Sequence, residues 1–384
     1  MKILFLNPAF LDYRIPVYKE LDLLASRSFR LIYSKERIPE RCHKKIIENI
    51  GSNALPIFKE YQLKLGKING SANIGMSIPF PIGLYKYLSF ESPDIIISVG
   101  FFQWTPWAIL RAKQLRIPII IEYEPTEHTE RNCPKWRRNY RKLVSRFIDG
   151  FISNGKLSKK YLTNLGVEAN KIYTGTMAAD SRGIMEECSK VKRERLDHIK
   201  RELNLNSGIT YFFAGSFIER KGISELIKAW KYHSQIYPDD NLIIAGTGVL
   251  EKTLKFESLD CHSIHYVGHV EYPNIATFYA LSDVFVMPTL EDNWSLVVPE
   301  AMACGLPIAC SIYNGCYPEL VHEDINGHVF DPLDINNFVE SLSYFHHRDL
   351  KQMGYNSKLI EQEYTPQKAA KKIYDACKSV TGKL

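Results

Sequence analysis

The 384-residue sequence has no CxxC pair among its eight cysteines, no low-complexity segment and no internal repeat of solenoid period. Cysteines at 42, 133, 188, 261, 304, 310, 316 and 377 follow no metal-binding spacing, which excludes a zinc-finger reading and predicts reduced thiols in a cytosol. Long hydrophobic runs are missing as well. The most apolar uncharged stretch, "IIISVGFFQWTPWAIL" (95–110), has 16 residues and is interrupted by Gly100 and Pro106. It is too short for a membrane span and reads as strand, loop and helix start. The opening "MKILFLNPAF" is broken at Asn7 and Pro8, so it predicts a first strand and not a secretory signal.

What is present is an ordinary globular composition, 45% hydrophobic and 24% charged, in a chain long enough for two domains. Charge is shared unevenly. Residues 1–185 carry 29 Lys and Arg against 16 Asp and Glu, whereas the remainder has 20 against 27. That asymmetry predicts an anionic partner for the amino-terminal half. Strand-like and helix-like segments alternate almost throughout, from "KILFLNPAF" and "YRIPVYKELDLLAS" to "DIIISVG", "IPIIIEYE" and "DGFISNG". Such alternation predicts an α/β chain with doubly wound parallel sheets. The polar stretch 175–207 reads as a linker with a connecting helix, after which a second α/β pattern starts at "ITYFFAGS". The expected domains are therefore 1–185 and 186–364, with a terminal helix in 365–384 packing back on the first.

In "EDNWSLVVPEAMACGLP" (291–307), two carboxylates, Asp292 and Glu300, stand eight positions apart across an apolar run. "SDVFVMPT" before it and "PIACS" after it read as buried strands. Between them Ser295 is the expected N-cap, Pro299 falls in the first helical turn, Gly305 suits the C′ position and Pro307 stops the helix. Asp292 is then in the loop at the carboxyl end of a strand, where open α/β sheets bind ligands, and Glu300 is on the helix that follows. A helix start favours phosphate. Carboxylates beside it suit neutral hydroxyls, such as those of a sugar.

Several ordered pieces between about 210 and 335, "FAGSFIERKGISELIKAW", "LIIAGTGVLEK", "YVGHVEYPNIATFYALSDVFVMPTLEDNWSLVVPEAMACGLPIAC" and "NGCYPELVHEDINGHVFDPLD", resemble the carboxyl-terminal domain of family 4 retaining glycosyltransferases of the GT-B fold. The resemblance implies two Rossmann-like domains facing a central cleft. It also implies transfer of a sugar from a nucleotide diphosphate donor, a UDP-sugar or a GDP-sugar, without a metal or other cofactor. In that family two acids separated by seven residues hold the donor sugar and the nucleotide ribose. Asp292 and Glu300 match them, with Asp in place of the usual Glu and Glu291 one residue out of register.

Lys221 matches the family's diphosphate-binding Lys in "GSFIERKG", where Ser216 follows Gly215 in place of the usual Arg and Arg220 is the candidate substitute. Backbone groups of Asn293, Trp294, Ser295 and Leu296 would complete the cradle, and Val270 marks where the family reads the base. In the amino-terminal domain Glu124 stands near the position of a family His, with His128 four residues on; both remain candidates for the reacting centre. Arg14, in the first loop, reads either as a diphosphate or acceptor contact or as an ordinary surface residue.

"PKWRRNYRKLVSRFIDGF" predicts a helix whose apolar stripe (Trp136, Tyr140, Leu143, Val144, Phe147) enters the core while its basic residues meet anionic lipid. The expected setting is thus peripheral, on the inner face of the cytoplasmic membrane, with a lipid-linked glycan as acceptor. Nucleic acid is not an expected partner, because no recognition motif accompanies the charge. Two rival readings are a nucleotide-sugar epimerase and a catalytically silent partner subunit.

Overall fold

The computed structural model describes residues 1–65 and 76–382, which form two compact units, Met1–Ala178 with Pro366–Leu384 and Ala179–Thr365. The first unit contains β1 (Ile3–Leu6), β2 (Phe29–Ser34), β3 (Ala54–Ile57), β4 (Glu60–Leu65), β5 (Met76–Pro81), β6 (Ile95–Val99), β7 (Ile119–Glu122), β8 (Gly150–Ser153) and β9 (Ile172–Thr174). Seven of these make a parallel sheet in the order β3-β2-β1-β6-β7-β8-β9, while β4 and β5 pair antiparallel with each other. A parallel sheet covered on both faces demands strands that are apolar at every position. In β1, Ile3 and Phe5 enter one buried cluster and Leu4 and Leu6 the other, the period-2 signature of a strand with a core on each side.

The helix Pro366–Thr381 packs against the helix Ile15–Leu24 of the first unit. Val380 approaches β8 so closely that a Cβ at Gly150 would lie 2.8 Å from its methyl. The second unit has β10 (Thr210–Ala214), β11 (Asn241–Ala245), β12 (Ile264–Gly268), β13 (Val284–Met287), β14 (Ile308–Ser311) and β15 (Gly327–Phe330). They form one parallel sheet in the order β12-β11-β10-β13-β14-β15. In each sheet the strand order reverses once, between β1 and β6 and between β10 and β13. The loops leaving those strands line a crevice suited to a ligand.

Three local expectations need correction. The domain boundary lies after Ala178 and not at 185, because the helix Ser181–Lys190 packs on the helices Tyr272–Leu281 and Val297–Ala303 of the second unit. Ser295 is not the N-cap: the helix is Val297–Ala303 with Leu296 in the cap position, and the Ser295 hydroxyl bonds the Asp292 carboxylate instead. Gly305, at φ +89°, does end that helix.

The third correction concerns the helix Lys135–Ser145. It is rotated from the expected stripe, burying Arg137, Arg141 and Val144 while Trp136 (49%), Leu143 (53%) and Phe147 (48%) are exposed. The cause is an acid inside. Arg141 Nη1 lies 2.6 Å from Glu130 Oε2 and donates to Tyr161 Oη at 2.8 Å, so its charge is paired where burial would otherwise be prohibitive.

Candidate active site

The switch point of the second unit is built from close backbone contacts. After β10, Gly215 and Ser216 turn beside Gly246, which has φ +141° and would put a Cβ 1.9 Å from the Gly215 carbonyl oxygen. Only glycine lets these two loops approach in that way. Beside them is a cavity of about 240 Å³ lined by Gly215, Ser216, Gly246, Thr247, Val270 and Val297, among others. Gly222 (φ +66°) presses the Lys221 turn onto the end of β13, where a Cβ would meet the Pro288 carbonyl oxygen at 1.9 Å. The Arg220 carbonyl accepts from Thr289 Oγ1 (2.8 Å) and from the Leu290 N–H (2.9 Å), which locks the turn in place.

That locking brings Lys221 to Asp292, with Nζ 2.5 Å from Oδ2. The same carboxylate accepts from Ser295 Oγ at 2.7 Å and from the Trp294 N–H at 3.1 Å. Burial disfavours the charged form of Asp292, but the Lys221 ammonium and these donors outweigh it and hold the carboxyl below its ordinary value. Two expected cradle donors are therefore already engaged: Trp294 N–H by Asp292 in the same loop, and Ser295 N–H by Asn314 Oδ1 of the loop after β14 at 3.3 Å. The Trp294 ring is buried near Tyr364, 6.0 Å between centroids, and serves the core.

Arg220 is exposed, with Nη1 3.4 Å from the Glu291 carbonyl, and does not join the Asp292 cluster. Glu300 is on the helix face of Val297, one turn on, with Tyr279 Oη 3.4 Å from its Oε2. Burial pushes the Glu300 carboxyl up to about 7, and the neighbouring Asp180 adds to the effect.

Asn314 was missed by the sequence reading. It is fully buried, accepts from Ser295 N–H, and sits in a segment that bridges to Asp292. Gly315 N–H donates to the Asp292 carbonyl at 2.9 Å. The only sequence signal was the "NG" turn pair in "YNGCYPE", which marks a turn but not its partner loop.

In the first unit Arg14 is neither a surface residue nor a free cation. It is 3% exposed, with Nη1 2.8 Å from Glu122 Oε1 and Nη2 hydrogen-bonded to Glu124. Burial raises the Glu122 carboxyl to about 7, outweighing the pull of Arg14, and the neighbouring Glu124 charge adds to the rise. Glu122 Oε2 is buried and has no hydrogen-bond partner among the described residues. Glu124 also accepts from Ser158 Oγ through its carbonyl. His128 stands in a turn closed by Thr126 and Thr129, where its carbonyl accepts from Arg131 Nη1 at 2.6 Å. The structure thus gathers Glu124 with Arg14 and Glu122 and leaves His128 outside that ion-pair cluster.

Among the described residues, one His/Asp group has the proximity of metal ligands: His233, Asp240 and His346. Both imidazoles reach Asp240 Oδ2, at 2.8 and 2.7 Å, which is hydrogen-bond geometry. Asp240 precedes β11, so the group is at the opposite end of the sheet from the cavity.

Two doubly wound sheets, each with one switch point, together with a cation–carboxylate pair beside a cavity, define the GT-B class of glycosyltransferase fold. Residues 196–372 match the family described as Glycosyl transferases group 1. It is 29% identical over 160 residues to an uncharacterized glycosyltransferase of Haemophilus influenzae, covering 40% of this chain and 45% of that protein. A GDP-mannose-dependent monoacylated alpha-(1-6)-phosphatidylinositol monomannoside mannosyltransferase of Corynebacterium glutamicum is 31% identical over 133 residues, 33% of this chain and 34% of that one. The chain thus spans less than half the length of either relative. The structure of Anabaena Alr3699/HepE in complex with UDP and glucose superposes with a TM-score of 0.69 at 15% identity, covering 99% of this chain and all of the other. At that identity the likeness concerns the fold. No helix among the described residues is long and apolar enough to cross a membrane.

Proposed function

We propose that the protein is a retaining glycosyltransferase that moves a sugar from a UDP-sugar or GDP-sugar to a hydroxyl on a lipid-linked glycan. The observation that carries this reading is the Lys221–Asp292 pair, set at the switch point beside the 240 Å³ cavity and one helix away from Glu300. In the donor complex the diphosphate takes Lys221, and Asp292, released from the ammonium, accepts hydroxyl groups of the sugar ring. Glu300 holds the ribose, and Val270 meets the base through its backbone. As the glycosidic bond breaks, charge develops on the leaving diphosphate, where a fixed cation matters most. The leaving group departs on the face where the acceptor arrives, so no carboxylate acts as a nucleophile and no metal is required. Relatives with GDP-mannose in one name and UDP with glucose in another support the donor class and leave the base open.

Membrane association is supported by the exposed side of the helix Lys135–Ser145. Lys135, Arg138, Lys142 and Arg146 line one edge of it and Trp136, Leu143 and Phe147 the other, an amphiphilic surface suited to lying at an anionic interface. Each cation near such a surface contributes about 1 kcal/mol. Neutralising Arg138, Lys142 and Arg146 should release the protein from anionic vesicles; retained binding would remove this face from the proposal. Arg137 and Arg141 are buried and are not expected to contribute.

The donor reading is tested by thermal shift with UDP, GDP, ADP and their sugar conjugates, for wild type and Glu300→Ala. A ligand at about 100 times its dissociation constant stabilises the native state by roughly 2.7 kcal/mol. A shift with one nucleotide that is lost in the variant is the expected result. No shift with any of them would favour the silent-partner reading.

A further inference from the structure

Two cysteine pairs flank the candidate donor site, and they differ in access. Cys310 and Cys316 are both buried in contact with one another, with Asn314 bonded to each sulfur. Cys188 and Cys304 stand on two directly packed helices, and both are partly exposed. Cys188 is on the helix Ser181–Lys190, and Cys304 terminates the helix Val297–Ala303 that carries Glu300. The two helices pack directly, with Cys304 Sγ 3.9 Å from the Ile184 carbonyl, one turn before Cys188.

A cation completes the cluster. Lys358 crosses the turn after Cys304, its Nζ 3.1 Å from where a Cβ on Gly305 would stand. The Cys304 thiol and this ammonium both favour the thiolate of Cys188, which is held below the ordinary thiol value against the opposing effect of burial. Cys304 goes the other way: its hydrogen bond with Cys188, burial and the negative charges of Cys188 and Glu300 all keep it protonated. A partly exposed thiol whose thiolate form is favoured, next to a thiol that holds its proton, is the arrangement of an attacking and a resolving cysteine.

We propose that Cys188 and Cys304 are a reversible thiol–disulfide modification site that takes low-molecular-weight disulfides and, when oxidised, staples the helix Ser181–Lys190 to the end of the Glu300 helix. The Cys188 thiolate attacks one sulfur of a small disulfide, forming a mixed disulfide and expelling one small thiolate. Cys304 then loses its proton to solvent and attacks Cys188 Sγ, expelling the second. Two protein thiols are oxidised by two electrons and one small disulfide is reduced to two thiols. Bond formation draws the sulfurs to about 2.05 Å. It also shifts the last turn of a helix in which the Cys304 N–H bonds the Glu300 carbonyl at 3.1 Å. The modification stands on the thiol geometry alone; its effect on nucleotide rests on the donor site proposed above.

The test is peptide mapping of the full chain by mass spectrometry after incubation with oxidised glutathione, with free thiols alkylated first. A Cys188–Cys304 linkage that dithiothreitol reverses is the expected product, with Cys310 and Cys316 still alkylatable after denaturation. Cys304→Ser should then stop at the mixed disulfide on Cys188, and Cys188→Ser should take up no glutathione at Cys304. A wild-type protein that accumulates only the mixed disulfide, or that links another pair, would overturn the site. Nucleotide affinity is read in parallel, and oxidation should weaken it by about tenfold, the usual size of coupling between neighbouring sites. A mapped linkage with unchanged affinity overturns the coupling to Glu300, whereas nucleotide binding absent in both redox states points to the donor reading itself.

Discussion

The two units solve a similar problem in different ways. Each sends a cation from the segment after its first strand to carboxylates at the carboxyl end of a strand across the strand-order reversal: Arg14 to Glu122 at the end of β7 and Glu124 just beyond it in one, Lys221 to Asp292 in the loop after β13 in the other. Arg14 is closed in at 3% exposure, and one of its partners is raised to about 7. Lys221 and Asp292 keep 16% and 13% of their side chains accessible, and Asp292 is held in its charged form. A guanidinium makes fixed, forked contacts, while an ammonium on a flexible stem exchanges partners readily. The first cluster is therefore a framework that orients Glu124, and the second is an exchangeable pair, the one that the proposed donor diphosphate would separate.

That contrast is open to test, beginning with the largest effect. Arg14→Met leaves Glu122 buried and uncompensated, so urea unfolding should show a loss of about 3–5 kcal/mol. Lys221→Met leaves the Asp292 carboxylate still accepting from the Ser295 hydroxyl and the Trp294 N–H, so it should cost less, about 1–3 kcal/mol in the same assay. Equal losses would erase the distinction between framework and exchangeable pair. In steady-state kinetics Lys221→Ala should lower turnover about a hundredfold, the scale for removing one group that stabilises developing charge. If turnover is unchanged, Lys221 has no part in the chemistry.

Glu300 supplies a pH-dependent test. Its carboxyl is raised from 4.5 to about 7 by burial, so the stability it contributes is present below about 4.5 and is lost as pH rises through about 7. Glu300→Gln removes that penalty. Relative to wild type it should gain about 2 kcal/mol between pH 5 and pH 8, after allowance for partial exposure. A difference that stays flat with pH would mean that Glu300 titrates normally. Arg220→Ala should do least, changing stability by less than about 0.5 kcal/mol, because its guanidinium is exposed and its one hydrogen bond among the described residues is a long one to a carbonyl. A loss comparable to that of Arg14→Met would place Arg220 in the framework instead.

Much of this was legible in the residues. Runs such as "IIIE" and "NLIIA" can only be strands covered on both faces, and Gly305 ends its helix where a left-handed residue is needed. The eight-residue spacing placed Asp292 in a loop and Glu300 on the helix after it. Other features were hidden because they depend on which partner a side chain finds once the loops are folded. Ser295 looked like a cap until Asp292 claimed its hydroxyl, and Asn314 looked like a turn residue until Ser295 claimed its carbonyl. The helix Lys135–Ser145 was misread for the same reason. Its stripe of Trp136, Leu143 and Phe147 obeys the helical period, but the period cannot report a buried Glu130 that makes Arg141 the better residue to bury.

The sequence by itself determined that this chain has two α/β units and which loops leave the carboxyl ends of their strands, because hydrophobic period and turn chemistry are local properties. Only the tertiary structure decided how charge is arranged on those loops. The stability of a buried ion depends on what stands within a few ångströms of it, and for Arg14, Arg141 and Lys221 that neighbour is 108, 11 and 71 residues away along the chain.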